Sequence, residues 1–321
     1  MRIFSLLKCG LFALTLMLPA ASGAADLNLA VGSSIVGGTI HIMGTALAKV
    51  ISDHVPGVYA TAQNTSGPQA SLQMIETGEM KIGIVSTPIL YDAMEGKAKW
   101  TMGRQFEQFR TIAVLYSSQF QWFAIKPELK YVHDLNGRIL NVSAPGATSD
   151  QVGSLINDII GVKLGSKNHS TTATGCDLLR DGRIDAVCVS QGYPAPSFTD
   201  LQITTNGRML QLTPEEVEKV VKAVPFLSPY QIPANTYKQQ PEALNTVALW
   251  NVIVVSRDLP EDVVYQITKA CVENSGAFAA AAAVGKDFKA ENIRHAFGPI
   301  HSGAAKYYRE AGIPFPEAQV K

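Results

Sequence analysis

Short apolar runs alternate along this chain with longer stretches in which apolar residues recur every three or four positions, the spacing of one helix face. The first run is 27-LNLAV-31. The glycine- and serine-rich 32-GSSIVGG-38 follows, and then Ile40, Met43, Leu47, Val50 and Ile51 at helical spacing. Pro56 and Gly57 stop that pattern. A second run, 58-VYATAQ-63, enters the turn 64-NTSGP-68. A helix carrying Leu72 and Ile75 stops at Gly78, and 80-MKIGIV-85 reads as a third strand ending at Ser86. Strand, helix, strand, helix, strand predicts an α/β fold on a mostly parallel sheet.

The second half repeats the theme. Residues 138-RILNVSA-144 read as a strand, 145-PGATSD-150 as a loop of small residues, and Val152, Leu155, Ile156, Ile159 and Ile160 as a helical stripe. Two stretches then match position by position, 74-MIETGEMKIGIVS-86 and 178-LLRDGRIDAVCVS-190. Each predicts a helix closed by glycine and a buried strand ending in serine. Between the halves, 121-QWFAIKPELK-130 reads as a strand crossing from one lobe to the other. The strongest strand signal, 247-VALWNVIVVS-256, brings the chain back, and 258-DLPEDVVYQITKACVEN-274 and 276-GAFAAAAAVG-285 read as helices. The expected organisation is an N-terminal segment 1–24, a first lobe over 25–121, a second over 122–225, and a return through the hinge into the first lobe over 226–321.

The N-terminal segment changes the compartment. Arg2 and Lys8 precede the apolar 10-GLFALTLMLPA-20 and the small residues 20-AASGAA-25, the layout of a cleavable export signal cut near Ala24. The expected location is therefore outside the cytoplasm. Removing Arg2 and Lys8 takes the basic count from 27 to 25, against 27 acidic residues. A chain so close to neutral carries no electrostatic footprint for nucleic acid. Cys176, Cys188 and Cys271 remain, an odd count at irregular spacing and no disulfide framework. Cys188 sits in the apolar run 184-IDAVCV-189, where it reads as a small buried hydrophobe, with a bridge to Cys176 left open.

In a parallel sheet, ligands bind outside the carboxyl ends of the strands, where loops lead into helices. A helix start offers unpaired N–H groups and a positive dipole end, so it attracts carboxylate or phosphate. Gly37, Gly38 and Thr39, with Ser33 and Ser34, have this arrangement after the first strand. Ser66 and Gly67 have it after the second, Ser86 and Thr87 after the third, and Gly146, Thr148 and Ser149 in the other lobe. For any one of these residues, a simple helix cap is the competing reading. His41 falls in the first turn of the first loop-helix, where it either reaches a ligand or faces solvent. The dinucleotide and P-loop fingerprints are absent, as are the G-x-S-x-G elbow and H-E-x-x-H, and the histidines show no metal-ligand spacing. A binding protein without catalysis, cofactor or metal is the expectation.

The stretches 37-GGTIHIMGTALAKVI-51, 75-IETGEMKIGIVSTPILYDAMEG-96, 178-LLRDGRIDAV-187, 232-IPANTY-237, 250-WNVIVVSRDLPEDVVYQITKA-270 and 298-GPIHSGAAKYYREAGI-313 resemble the TAXI-type substrate-binding proteins of TRAP (tripartite ATP-independent periplasmic) transporters. The resemblance covers essentially the whole chain after the signal. It implies a type II periplasmic-binding fold, monomeric, closing two lobes on a small organic anion and delivering it to a TRAP-type permease. Glutamate-like amino acids and dicarboxylates are the ligand classes it suggests. A receptor presenting its ligand to a membrane sensor is the alternative. The family's G-G-T-Y-Y is here G-G-T-Ile40-His41, and its G-x-P after the second serine-ending strand is here 190-SQGYP-194. Gln191 and Tyr193 thus add polar groups at the expected ligand.

Overall fold

The computed structural model describes residues 26–34 and 38–321. The export-signal reading and Gly37 lie outside the described residues. The first half runs β1 (Leu27–Gly32), α1 (Thr39–His54), β2 (Val58–Gln63), α2 (Pro68–Glu76), β3 (Ile82–Ser86), α3 (Thr87–Glu95) and β4 (Phe109–Ala124). The middle runs β5 (Ile139–Asn141), α4 (Thr148–Ile160), β6 (Ser166–Asn168), α5 (Thr172–Arg180), β7 (Ala186–Gln191), α6 (Pro196–Thr204), β8 (Arg208–Leu210), α7 (Pro214–Ala223) and β9 (Ser228–Ile232). The chain finishes with β10 (Leu244–Ser256), α8 (Glu261–Glu273), α9 (Ser275–Ala281) and α10 (Ser302–Glu310).

One mixed sheet carries everything, in the order β2-β1-β3-β10-β4-β7-β5-β6, with β8 added beside β4 and β9 beside β10. Each end is parallel, β1 between β2 and β3 at one side and β5 between β6 and β7 at the other. The two ends meet through β4 and β10, which run antiparallel to each other and to their outer neighbours. β4 has 16 residues and β10 has 13, where strands of globular proteins mostly have about 3–10. Both are long because each passes from one lobe into the other.

The composition of β4 marks that passage. Phe109 and Ile112 through Tyr116 belong to one apolar core, and Phe120, Trp122 and Ala124 to another. Between them lie Ser117, Ser118 and Gln119, three polar residues that no core claims. On β10 the cores change over between Leu249 and Trp250. A further cluster around Phe123, Phe198 and Leu201 fills the other side of the second lobe. Two α/β lobes therefore share a pair of hinge strands, and register shifts after Asn251 and Ile253 bend β10 within the first lobe.

The matched stretches fold alike. Gly78 and Gly182 both take left-handed φ, +84° and +69°, in the turns after α2 and α5. The strands that follow, β3 and β7, flank β10 and β4 respectively. Two expectations need correction. The crossing strand starts at Phe109, well before Gln121. The alanine-rich helix stops at Ala281, because Gly285 turns back so tightly that a Cβ there would lie 2.0 Å from the Phe278 carbonyl oxygen. Cys176, Cys188 and Cys271 are all buried free thiols, and burial pushes each thiol pKa up. Among the described residues no helix is long and apolar enough to cross a membrane.

Candidate functional site

A cleft of about 500 Å³ opens between the lobes. Its floor is the hinge pair, with Tyr116 and Ser118 of β4 directly opposite Asn251 and Leu249 of β10. The first lobe contributes Ser34, then Gly38, Thr39 and Ile40 at the start of α1, Pro68 at the start of α2, and Ser86 before α3. The second lobe contributes Thr148 at the start of α4 and Ser190, Gln191 and Gly192 at the end of β7. Ser86 and Ser190, the matched strand-ending serines, thus line one cleft from opposite lobes.

Four helices begin at this cleft, and none of the four has a side-chain cap. Gly38, Gly67, Ser86 and Ala147 precede α1, α2, α3 and α4 without a capping hydrogen bond. α6, α8 and α9 also start without one, whereas Thr171, Thr213 and His301 cap α5, α7 and α10 with their side chains. The cleft-lining polar side chains behave the same way. Ser34, Thr39, Ser86, Tyr116, Ser118, Thr148, Gln191 and Asn251 make no side-chain hydrogen bond among the described residues. The Ser190 hydroxyl is buried and has no partner either. Burial pushes the Tyr116 pKa up, so its phenol stays a donor. Among the described residues, no charged side chain lines the cleft. The lining therefore offers neutral donors, amides and positive helix ends, with hydrogen-bonding capacity unspent in the protein.

Of the residues singled out in the sequence, Ser34, Gly38, Thr39, Ser86, Thr148 and Gln191 reach the cleft. Others stand beside it with their side chains already engaged. Ser33 is fully buried, donates to the Gln63 carbonyl at 3.0 Å and lies 3.3 Å from His41 Nδ1, so it steadies the half-buried His41 ring. Thr87 accepts from the backbone N–H of Trp250 at 3.3 Å and donates to the Phe226 carbonyl at 2.9 Å, the second bond tying the start of α3 to the other lobe. The Ser149 hydroxyl is buried and donates to the Val142 carbonyl at 3.0 Å. Three do not come to the cleft. Ser66 is exposed on the loop before α2. Gly146, also exposed, donates its N–H to the Asp150 carboxylate at 2.9 Å. Tyr193 lines a different cavity behind the hinge strands.

Sequence reasoning missed Tyr116, Ser118, Ser190, Leu249 and Asn251. A run that reads simply as buried strand gives no sign of which face lines a cleft; the polar interruption 117-SSQ-119 is the one signal in the sequence that could have marked the place. The stretch 232-IPANTY-237 has a supporting part. The Tyr237 hydroxyl donates to the Gln121 side-chain oxygen and accepts from the Ala195 N–H at 2.6 Å. Gln121 Nε2 in turn holds the Gln191 carbonyl at 2.8 Å, fixing the end of β7 at the cleft. Burial pushes the Tyr237 pKa up to about 12. Tyr237→Phe leaves two buried groups unpaired, at about 1–3 kcal/mol each. We expect urea unfolding to show a loss of about 2 kcal/mol or more; a loss within experimental error would mean the network contributes nothing.

A curled mixed sheet, two lobes on a shared strand pair and a cleft at the strand ends define the type II periplasmic-binding fold. The chain belongs to the NMT1-like family, which matches it over residues 31–312. Among solved structures it is similar to a TctC solute-binding protein from Polaromonas, at 15% identity and a TM-score of 0.56, covering 92% of this chain and 91% of that one. It is also similar to the periplasmic sulfonate-binding protein SsuA of a putative sulfonate ABC transporter from Methylobacillus flagellatus KT, at 14% identity, a TM-score of 0.51 and 85% and 74% coverage. A Xanthomonas citri protein bound to ATP matches at 10% identity, a TM-score of 0.51 and 88% and 94% coverage. At such identities the likeness is one of fold.

Proposed function

We propose that this chain is an extracytoplasmic solute-binding protein that captures a small organic anion in the interlobe cleft and delivers it to a TRAP-type permease. The observation that carries the reading is the concentration of unspent hydrogen-bonding groups, beside four uncapped helix starts, in one cleft between two lobes. A carboxylate placed there meets N–H donors and positive dipole ends without needing an arginine. Because no acidic side chain among the described residues lines the cleft, an α-ammonium group would have no charged partner among them. We therefore favour carboxylates without an amino group, such as dicarboxylates, over glutamate-like amino acids. The delivery step rests on the sequence resemblance to TAXI-type binding proteins and on the export signal.

Mass spectrometry of whatever co-purifies with the protein, followed by calorimetry with that compound, tests the ligand class. A neutral or cationic compound would overturn it. Closure of the lobes by hinge motion should make the protein more compact on binding. An unchanged small-angle scattering profile at saturating ligand would sink that part. Gln191 has a free amide at the cleft, and Gln191→Ala should weaken the ligand about tenfold, since an unpaired buried partner costs about 1–3 kcal/mol. Equal affinity of the two proteins in calorimetry would make Gln191 a rim residue.

A further inference from the structure

Side chains alternate across a strand, so the residue between Leu249 and Asn251 points away from the cleft. That residue is Trp250, and Ser117 is its register partner on β4. On this rear face lies a second cavity, of about 640 Å³. Three aromatic rings wall it in sequence: Tyr193 and Tyr230 have centroids 5.9 Å apart, and Tyr230 and Trp250 6.2 Å. His295 stacks on Trp250 at 4.7 Å and 11°. Its Nε2 accepts from Arg294 Nε at 3.0 Å, and burial, with Arg294 beside it, pulls its pKa down to about 4. It therefore brings no positive charge near neutral pH. Lys289 and Arg294 are exposed at the rim.

The half-buried Asp287 carboxylate faces the same space. One of its oxygens accepts from the Ser117 hydroxyl at 2.7 Å, and among the described residues no cation forms an ion pair with it. Aromatic faces carry negative potential and attract cations, most strongly where water is displaced. A purely apolar ligand would bury the carboxylate against nothing. Glu291, exposed at the rim beside Lys289 and Arg294, is the cavity's other carboxylate. Two carboxylates are too few ligands for a metal, and the described residues hold no cluster of three metal-binding side chains. We propose that this rear cavity binds a small organic cation, an ammonium or methylated ammonium group, between the Tyr193, Tyr230 and Trp250 rings and the Asp287 carboxylate. The site is independent of the anion cleft, because the hinge strands separate the two.

Titration calorimetry of the whole protein with tetramethylammonium chloride tests this, with sodium chloride as the ionic control and tert-butanol as a neutral probe of similar shape. We expect saturable tetramethylammonium binding, with tert-butanol at least about tenfold weaker. Asp287→Asn retains an oxygen for Ser117 and so should stay folded by its melting curve, yet lose at least about tenfold in tetramethylammonium affinity. Tyr230→Leu should lose a similar factor. No saturable binding, equal binding of tert-butanol, or unchanged affinity in folded Asp287→Asn would each overturn the proposal.

Discussion

Gly38→Val should cost about a hundredfold in affinity for the co-purifying ligand while leaving the unliganded protein nearly as stable as before. Gly38 is the residue before α1 and lines the cleft, and its φ of −75° and ψ of 156° lie in the extended region open to any residue. Its own backbone therefore does not require glycine, and a side chain added there would project beside the start of α1 at the cleft. A valine there would stand between an anion and the first N–H groups of α1. Hydrogen bonds to a charged group are worth about 1.5–3 kcal/mol each, so losing one or two amounts to roughly two decades. Calorimetry beside a melting curve on the same variant checks it. A parallel fall in both would show that Gly38 is structural, and unchanged affinity would remove the start of α1 from the site.

Gly303→Ala should destabilise the fold, against the grain of helix propensity. Gly303 lies in the first turn of α10, where its N–H donates to the buried His301 ring at 3.1 Å, and His301 Nε2 contacts the Leu259 carbonyl at 3.1 Å. Propensity alone would make alanine better by about 1 kcal/mol. A Cβ, however, would sit 2.2 Å from the Glu261 carbonyl oxygen and 2.9 Å from the Tyr265 nitrogen, both backbone atoms of α8. Backbone cannot step aside as a side-chain tip can, so α10 must lift from α8. Overpacking of this kind costs about 1–3 kcal/mol and occasionally more. We expect a net loss of about 2 kcal/mol in urea unfolding. Gly276 in α9 is the control: nothing lies within 4 Å of a Cβ there, so Gly276→Ala should be neutral or slightly stabilising. A stabilised Gly303→Ala would mean that the α8–α10 contact yields easily.

The sequence by itself carried the α/β class, most of the elements and the paired helix–turn–strand stretches. Helical spacing of Met43, Leu47, Val50 and Ile51, all buried on α1, follows from the helix period, and the largely apolar β3 and β10 follow from burial on both faces. Glycine, serine and threonine after successive strands pointed to helix starts able to hold an anion, because that property resides in local backbone geometry. Tertiary structure alone decided which of those groups are free. Ser86 and Thr87 are neighbours of similar chemistry, yet Ser86 faces the cleft while Thr87 is held by Phe226 and Trp250, far away in sequence. Ser33 and Ser34 divide in the same way, the first buried against Gln63 and the second at the cleft. Trp250 went to the rear because a strand sends successive side chains to opposite faces, and only the pairing of β4 with β10 fixes which face lines the cleft. Tyr193, in the loop after β7, lines the rear cavity for reasons of loop path alone. A hydroxyl's availability depends on long-range partners, and spacing along the chain does not encode them.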